Sequence, residues 1–292
     1  MARIVRVLPV VGLALVAGCV DAQRGVLVMA HGGEPEWNQA VEEVVAPLRR
    51  KYPTEIAFGM ADSSTMRAAV QRLECRGVRE IAVVRMFISA DSFLPETEYI
   101  LGVRPERPAV MLAAHAEHAL HAHPMDPPTP IQTKASLVIS RQGVAESPLI
   151  DAILVERVHA LSTNPAEESV LLLAHGPGDD AENSRWLANM QRRVKRLREL
   201  GPFREVRCET LREDWPEKRA AAEQRIRQYV EEGSQRGRRV IVVPFRVAGF
   251  GPYAEVLQGL NYVADGRGFC PHPNMTRWLE RAARECFETP GR

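Results

Sequence analysis

The sequence predicts an α/β protein of two tandem lobes, each a small parallel sheet flanked by helices, facing a central cleft. Three observations predict it. The stretch VLVMAHG (Val26 to Gly32) returns as VLLLAHG (Val170 to Gly176), and such self-similarity marks a duplicated unit. Near-continuous apolar runs, EIAVVRMFIS in the first half and RVIVVPFRVA in the second, read as strands buried on both faces. These strands alternate with helical patterns, which is the signature of βαβ units and a parallel sheet.

The elements follow in order. After the first HG pair come an acidic loop, Asn38 and a helical pattern over Asn38 to Lys51, with Val41, Val44, Val45 and Leu48 at helical spacing. The short strand TEIAFGMA, a helix from Ser64 to Arg76 and the apolar run at Glu80 complete the unit. The second copy gives an acidic loop and Asn183, and a helix to Leu200 carrying Leu187, Met190, Val194 and Leu197. The strand REVRCETL, a helix from Pro216 to Arg236 and the run at Arg239 then follow. Two further helices share a proline-led entry: Ser147 to Leu161, and Asn274 to Phe287 at the end of the chain. The expected division is an N-terminal lobe over 24–143, a linking helix region over 144–163 and a C-terminal lobe over 164–292. Residues 104–135, rich in proline and histidine, interrupt the first lobe; the second has a shorter counterpart at about Gln258 to Phe269.

Composition narrows the function. The 292 residues suit one large or two medium domains. A formal net charge of +1 gives no reason to expect a nucleic-acid partner, and the basic run Arg192 to Arg198 reads as a solvated helix face. No phosphate-binding P-loop or GxSxG nucleophile motif is present, and GPGDD at Gly176 to Asp180 is too short and acidic to cradle phosphate.

Residues 1–19 have the layout of a bacterial export signal: Arg3 and Arg6, an apolar stretch from Val7 to Val16, then Ala17-Gly18-Cys19. The VAGC ending resembles a lipobox, which makes Cys19 the expected lipidation site and the protein an exported lipoprotein facing the periplasm. Val20 in place of aspartate slightly favours the outer membrane by the same resemblance. A plain cleaved signal or a buried first strand are the alternatives. Cys75, Cys208, Cys270 and Cys286 then remain, enough for one or two disulfides in an oxidising compartment. Buried free thiols are the competing expectation for Cys75 and Cys208. No CxxC pair points to a cysteine-rich zinc site.

Ligands of open parallel sheets bind beyond the carboxyl ends of the strands. His31 and His175 stand there, and Gly32 and Gly176 allow close backbone approach. A neutral imidazole in such a place binds a divalent metal or takes a proton; capping the strand-to-helix turn is the structural alternative. The second rim position is the end of the later apolar strand, counted here as the fourth of its lobe. Glu96 and Glu255 fall at matching places after it. Each is a candidate acid–base or metal partner for a histidine, or else a solvated first-turn residue favoured by the helix dipole. Trp37 and Trp186 lie just after the two HG loops, suited to stack on a planar ligand or to pack in the core. His272, between two prolines, reads as structural and His159 as a surface residue.

This order of motifs resembles the sirohydrochlorin chelatase family, class II ATP-independent chelatases, over most of residues 25–290. The resemblance implies insertion of a divalent metal, Co²⁺ or Fe²⁺, into a tetrapyrrole lying between the lobes. His31 or His175 would hold the metal as substrate, and a nearby histidine or carboxylate would collect the pyrrole protons. Arg85 and Arg246, near the strand ends, are candidates for the macrocycle carboxylates. The family pattern has a second histidine in the turn after the later strand; Phe93 and Pro252 occupy that place here.

The insertion carries His115, His118, His121 and His123. On a helix the first three would fan across one face, and histidine-rich tracts suit Zn²⁺, Cu²⁺, Co²⁺ or Ni²⁺; a solvated helix using histidine as a polar residue is the plainer reading. Two functions follow: an exported chelatase with an atypical site, or a non-catalytic lipid-anchored binding protein for divalent metal or metallated tetrapyrrole.

Overall fold

Each lobe is built around the strand that ends in the HG pair. The computed structural model describes residues 23–108 and 129–289. In the first lobe β1 (Arg24–Ala30), β2 (Thr54–Phe58), β3 (Glu80–Arg85) and β4 (Ser136–Ile139) form a parallel sheet in the order β2-β1-β3-β4. In the second, β5 (Glu168–Ala174), β6 (Glu205–Thr210) and β7 (Arg239–Pro244) form a parallel sheet in the order β6-β5-β7. A parallel bridge from Val263 to Ile241 stands where a fourth strand would lie. The rim strand counted as the fourth of its lobe is therefore the third. The cause is the real fourth strand, which follows the insertion in the first lobe and shrinks to one bridge in the second.

The helices follow the apolar spacing. They are α1 (Pro35–Val45), α2 (Ser63–Cys75), α3 (Leu94–Ile100), α4 (Leu149–Leu161), α5 (Asp180–Arg198), α6 (Pro216–Gln235), α7 (Tyr253–Val256) and α8 (Pro273–Glu288). α1 begins three residues before Asn38, with Pro35 in its first turn, where a missing amide costs nothing. It stops at Val45 because Pro47 cannot continue it, and only a 3₁₀ turn, Leu48–Arg50, follows. α5 also starts ahead of its asparagine, since Asp179 accepts a hydrogen bond from the Glu182 amide at 2.7 Å and so satisfies a free helix-start donor.

Two helices cross between the lobes. α8 packs on β3, β4 and α1 of the first lobe, while α4 packs on β7 and α5 of the second. Thr276 donates to the Val44 carbonyl at 2.9 Å and Lys51 pairs with Glu280 at 2.7 Å. One apolar core thus runs through both lobes, joining Val26, Val28, Val170 and Leu172 to Ile153, Trp186 and Trp278. Separate cores fill the outer faces beneath α2 and α6. The four described cysteines are free thiols: Cys208, Cys270 and Cys286 are buried, and Cys75 is exposed at the end of α2. No disulfide forms among the described residues, and Cys75 is not the buried thiol expected.

Candidate functional site

β1 and β5 deliver His31 and His175 to the carboxyl edge of their sheets, and the following glycines take the left-handed conformation that turns the chain there (φ 81° at Gly32, 78° at Gly176). The shared asparagines brace the turns in different ways. Asn38 holds Gly33 by two bonds: its Oδ1 accepts from the Gly33 amide and its Nδ2 donates to the Gly33 carbonyl, both at 3.0 Å. Asn183 instead accepts from the Thr210 hydroxyl at 2.8 Å, and a Cβ on Gly176 would come within 2.6 Å of Thr210.

The two histidines share one contact and differ in the other. Each Nδ1 lies 2.8 Å from the carbonyl of its own glycine. A carbonyl only accepts, so each Nδ1 carries the proton. His31 therefore turns an Nε2 lone pair outward. Desolvation by the surrounding protein holds its imidazole below the ordinary value, and the charges of His175 and Arg246 act the same way. In His175 the Nε2 is 3.0 Å from Asp214 and 3.9 Å from Glu213. Burial opposes its charge, but the hydrogen bond to Asp214 and the negative charge of Glu213 outweigh burial and raise its titration. The charged form is thus favoured at His175 and disfavoured at His31. The charges of His175, Asp214 and Arg246 reach His31, and Trp37 beside the first HG turn lies 3.9 Å from where a Cβ on Gly249 of the second lobe would stand, so the two turns are neighbours.

The acidic partner of His175 comes from the loop after β6. Glu213 is also bound by Arg246, whose guanidinium stacks over the buried Tyr253 ring at 5.4 Å. Arg212, with φ 58°, reaches back to the carbonyls of Pro177 and Gly178 and to Asp180. Lys218 donates to the same Gly178 carbonyl at 2.6 Å. Two cations thus pin the second HG loop.

Glu255 is exposed, and its charge acts on Arg219. Glu96 is partly buried in the first turn of α3. Desolvation raises its carboxyl, and Arg85 and Arg104 are the charges it feels. Among the described residues neither glutamate pairs with a histidine; Glu96 lies in the first turn of α3 and Glu255 in α7. Phe93 packs on Phe87 at 5.1 Å between ring centroids and takes φ 54°; Pro252 precedes α7.

Arg85 is not at the rim. It is 1% exposed, donates to the carbonyls of Ala90, Ser92 and Ser140, and is lowered to about 10 by burial. Its guanidinium shapes the loop after β3, since carbonyls left unpaired in that bend would be costly. Trp186 is buried in the shared core. His272 caps α8, accepting from the Asn274 amide at 2.9 Å, and His159 is exposed on α4. Among the described residues no three His, Cys, Asp or Glu side chains converge on a metal position. His115, His118, His121, His123 and Cys19 lie outside the described residues.

The fold is a chelatase-type α/β architecture of two parallel-sheet lobes, each with an HG turn at its strand ends. Residues 25–100 match the CbiX family model, which bears out the chelatase resemblance over that stretch of the first lobe. Solved structures agree in fold. SirB from Bacillus subtilis with Fe³⁺ superposes with a TM-score of 0.60 at 14% identity, over 90% of this chain and 95% of that one. The sirohydrochlorin chelatase SirB from Bacillus subtilis subspecies spizizenii in complex with cobalt gives 0.58 at 12%, over 92% and 97%. DR2241 from Deinococcus radiodurans, a multi-domain protein with structural similarity to chelatases, gives 0.55 at 19%, over 92% of this chain and 56% of that one. Among curated protein sequences none matches the chain.

Proposed function

We propose that the protein is a chelatase of the sirohydrochlorin type, inserting Co²⁺ or Fe²⁺ into a tetrapyrrole held at the paired HG turns. The observation that carries this reading is the unequal chemistry of His31 and His175. Metal insertion needs a neutral donor to hold the ion and an acceptor for two pyrrole protons. His31, with its outward Nε2 lone pair, is the donor. The His175–Asp214–Glu213 group is the acceptor: its carboxylates take protons directly, and His175 does so once it has released its own. Arg246 is the cation for a macrocycle carboxylate. Glu96, partly buried and raised in pKa, is a secondary proton acceptor if the loop after β3 moves on binding; Glu255 is left to the solvent. Mixing the purified protein with Co²⁺ and sirohydrochlorin and following absorbance tests this: insertion faster than the uncatalysed rate is expected, and an equal rate would sink the reading.

The second reading is a non-catalytic binding protein for divalent metal or metallated tetrapyrrole. It is favoured by the side chains at the place of the family's second histidine, Phe93 and Pro252, which offer no ligand. The histidines of the insertion would then be the principal metal ligands, with Zn²⁺, Ni²⁺ or Cu²⁺ as further cargo. On either reading the export signal ending at Cys19 is taken to anchor the protein by lipid to a membrane facing the periplasm.

A further inference from the structure

Each lobe places a tryptophan beside its HG turn, and does so from non-equivalent positions. Trp37 comes from the first turn of α1. Its ring centroid is 6.3 Å from that of His31, and a Cβ on Gly33 would come within 3.3 Å of it. Trp215 comes from the loop after β6, directly before α6. Its centroid is also 6.3 Å from its histidine, His175, and a Cβ on Gly178 would come within 2.2 Å of it. Duplication does not explain the pair. The residue of the second lobe that corresponds to Trp37, counted from the asparagine, is Glu182, and the residue of the first lobe that corresponds to Trp215, counted along the second strand, is Ser63.

Both indoles are half-buried, whereas Trp186 and Trp278 are in the core. Trp37 also reaches the opposite lobe, lying 3.9 Å from where a Cβ on Gly249 would stand. An indole left partly in water beside a polar cluster keeps apolar area that a flat ligand can cover. A glycine under each ring lets it settle against backbone, which fixes its position before any ligand arrives.

We propose that Trp37 and Trp215 are substrate-positioning residues that hold a planar, polycarboxylated tetrapyrrole against the histidine pair, one indole from each lobe. The proposal rests on the chelatase reading for the class of ligand, but not on metal insertion taking place. Face contact with the rings orients the macrocycle, and Arg246 supplies the cation its carboxylates need.

Uroporphyrin, a stable planar polycarboxylated tetrapyrrole, is the probe. Titrated into the purified full chain without metal, it is expected to quench tryptophan fluorescence saturably. Trp37→Leu and Trp215→Leu should each weaken binding by about fivefold or more. Trp37→Phe and Trp215→Phe keep a ring and should retain most of the affinity, and circular dichroism on all four variants separates lost binding from lost fold. Unchanged affinity in folded leucine variants overturns the proposal, and so does absence of quenching in the wild type. Quenching that depends on both tryptophans, in a protein that inserts no Co²⁺ into sirohydrochlorin, supports the positioning pair while sinking the chelatase reading.

Discussion

His175 and Asp214 stand 3.0 Å apart, Nε2 to Oδ2, in a lobe whose twin, among the described residues, leaves the matching histidine without a carboxylate on Nε2. The corresponding acid in the first lobe is Asp62, four residues beyond the end of β2 as Asp214 is beyond β6. Asp62 is occupied at the start of α2, accepting from the Thr65 amide at 2.7 Å. In the second lobe Trp215 takes the capping position, and Asp214 turns to His175 instead.

That pairing has a pH signature. The folded imidazole of His175 titrates above its ordinary value, so its link to Asp214 stabilises the protein fully below pH 6.5. The contribution is lost as pH rises through the folded value. Asp214→Asn should therefore lower the His175 pKa, seen by NMR titration of its ring proton. It should also lower the melting temperature more at pH 6 than at pH 9; an equal drop at both would contradict the assignment.

Glu168 gives the opposite case. Its carboxylate is 1% exposed, accepts from the Thr163 amide at 2.8 Å and pairs with Arg239 at 2.9 Å. Burial works against its charge, but these partners and the Ser162 hydroxyl hold it down to about 2. The stability it supplies is present above its ordinary value and is lost as pH falls toward 2. Glu168→Gln should cost about 3 kcal/mol at pH 7, read by urea denaturation, with the difference from wild type shrinking below pH 4.

Removing the proposed metal donor should separate the lobes functionally. His31→Ala is expected to weaken Co²⁺ binding by about tenfold or more, measured by calorimetry. His175→Ala should leave that affinity within about threefold and slow insertion instead. Equal losses of metal affinity in both variants would place the ion between the histidines.

The histidines of the insertion and Cys19 are tested independently. Joint replacement of His115, His118, His121 and His123 should lower calorimetric affinity for Zn²⁺ or Ni²⁺ if the insertion holds metal; unchanged affinity would remove it from the site. Cys19→Ser should move the protein from the membrane fraction to the soluble one, and retention in the membrane would exclude a lipid anchor at that residue.

Much of this was legible in the sequence because burial on both faces writes a strand as a plain apolar run. β1, β3, β5 and β7 all show it, and the repeated HG fixes which strand ends bear the histidines. The acidic partners were not legible. Asp214 and Glu213 follow β6, a strand whose own residues alternate charged and apolar, and the matching Asp62 serves as a cap, so comparing the halves gives no hint. Arg85 misled for a related reason. Position near a strand end says nothing about which way a loop then folds, and the guanidinium of Arg85 is drawn inward by carbonyls that only tertiary structure assembles.

The exchanged helices impose an order of assembly. The inner face of the first sheet is completed by α8, which packs on β3, β4 and α1, so part of its apolar surface stays open until residues 273–288 have arrived. The first half cannot complete its core alone: a fragment ending before α8 would lose Met275, Trp278, Leu279 and Ala283 from the cluster that holds Val26, Val28 and Val84. The duplicated ancestry visible in the two HG strands therefore no longer corresponds to two independent folding units; the first lobe is finished only once residues 273–288 have been made.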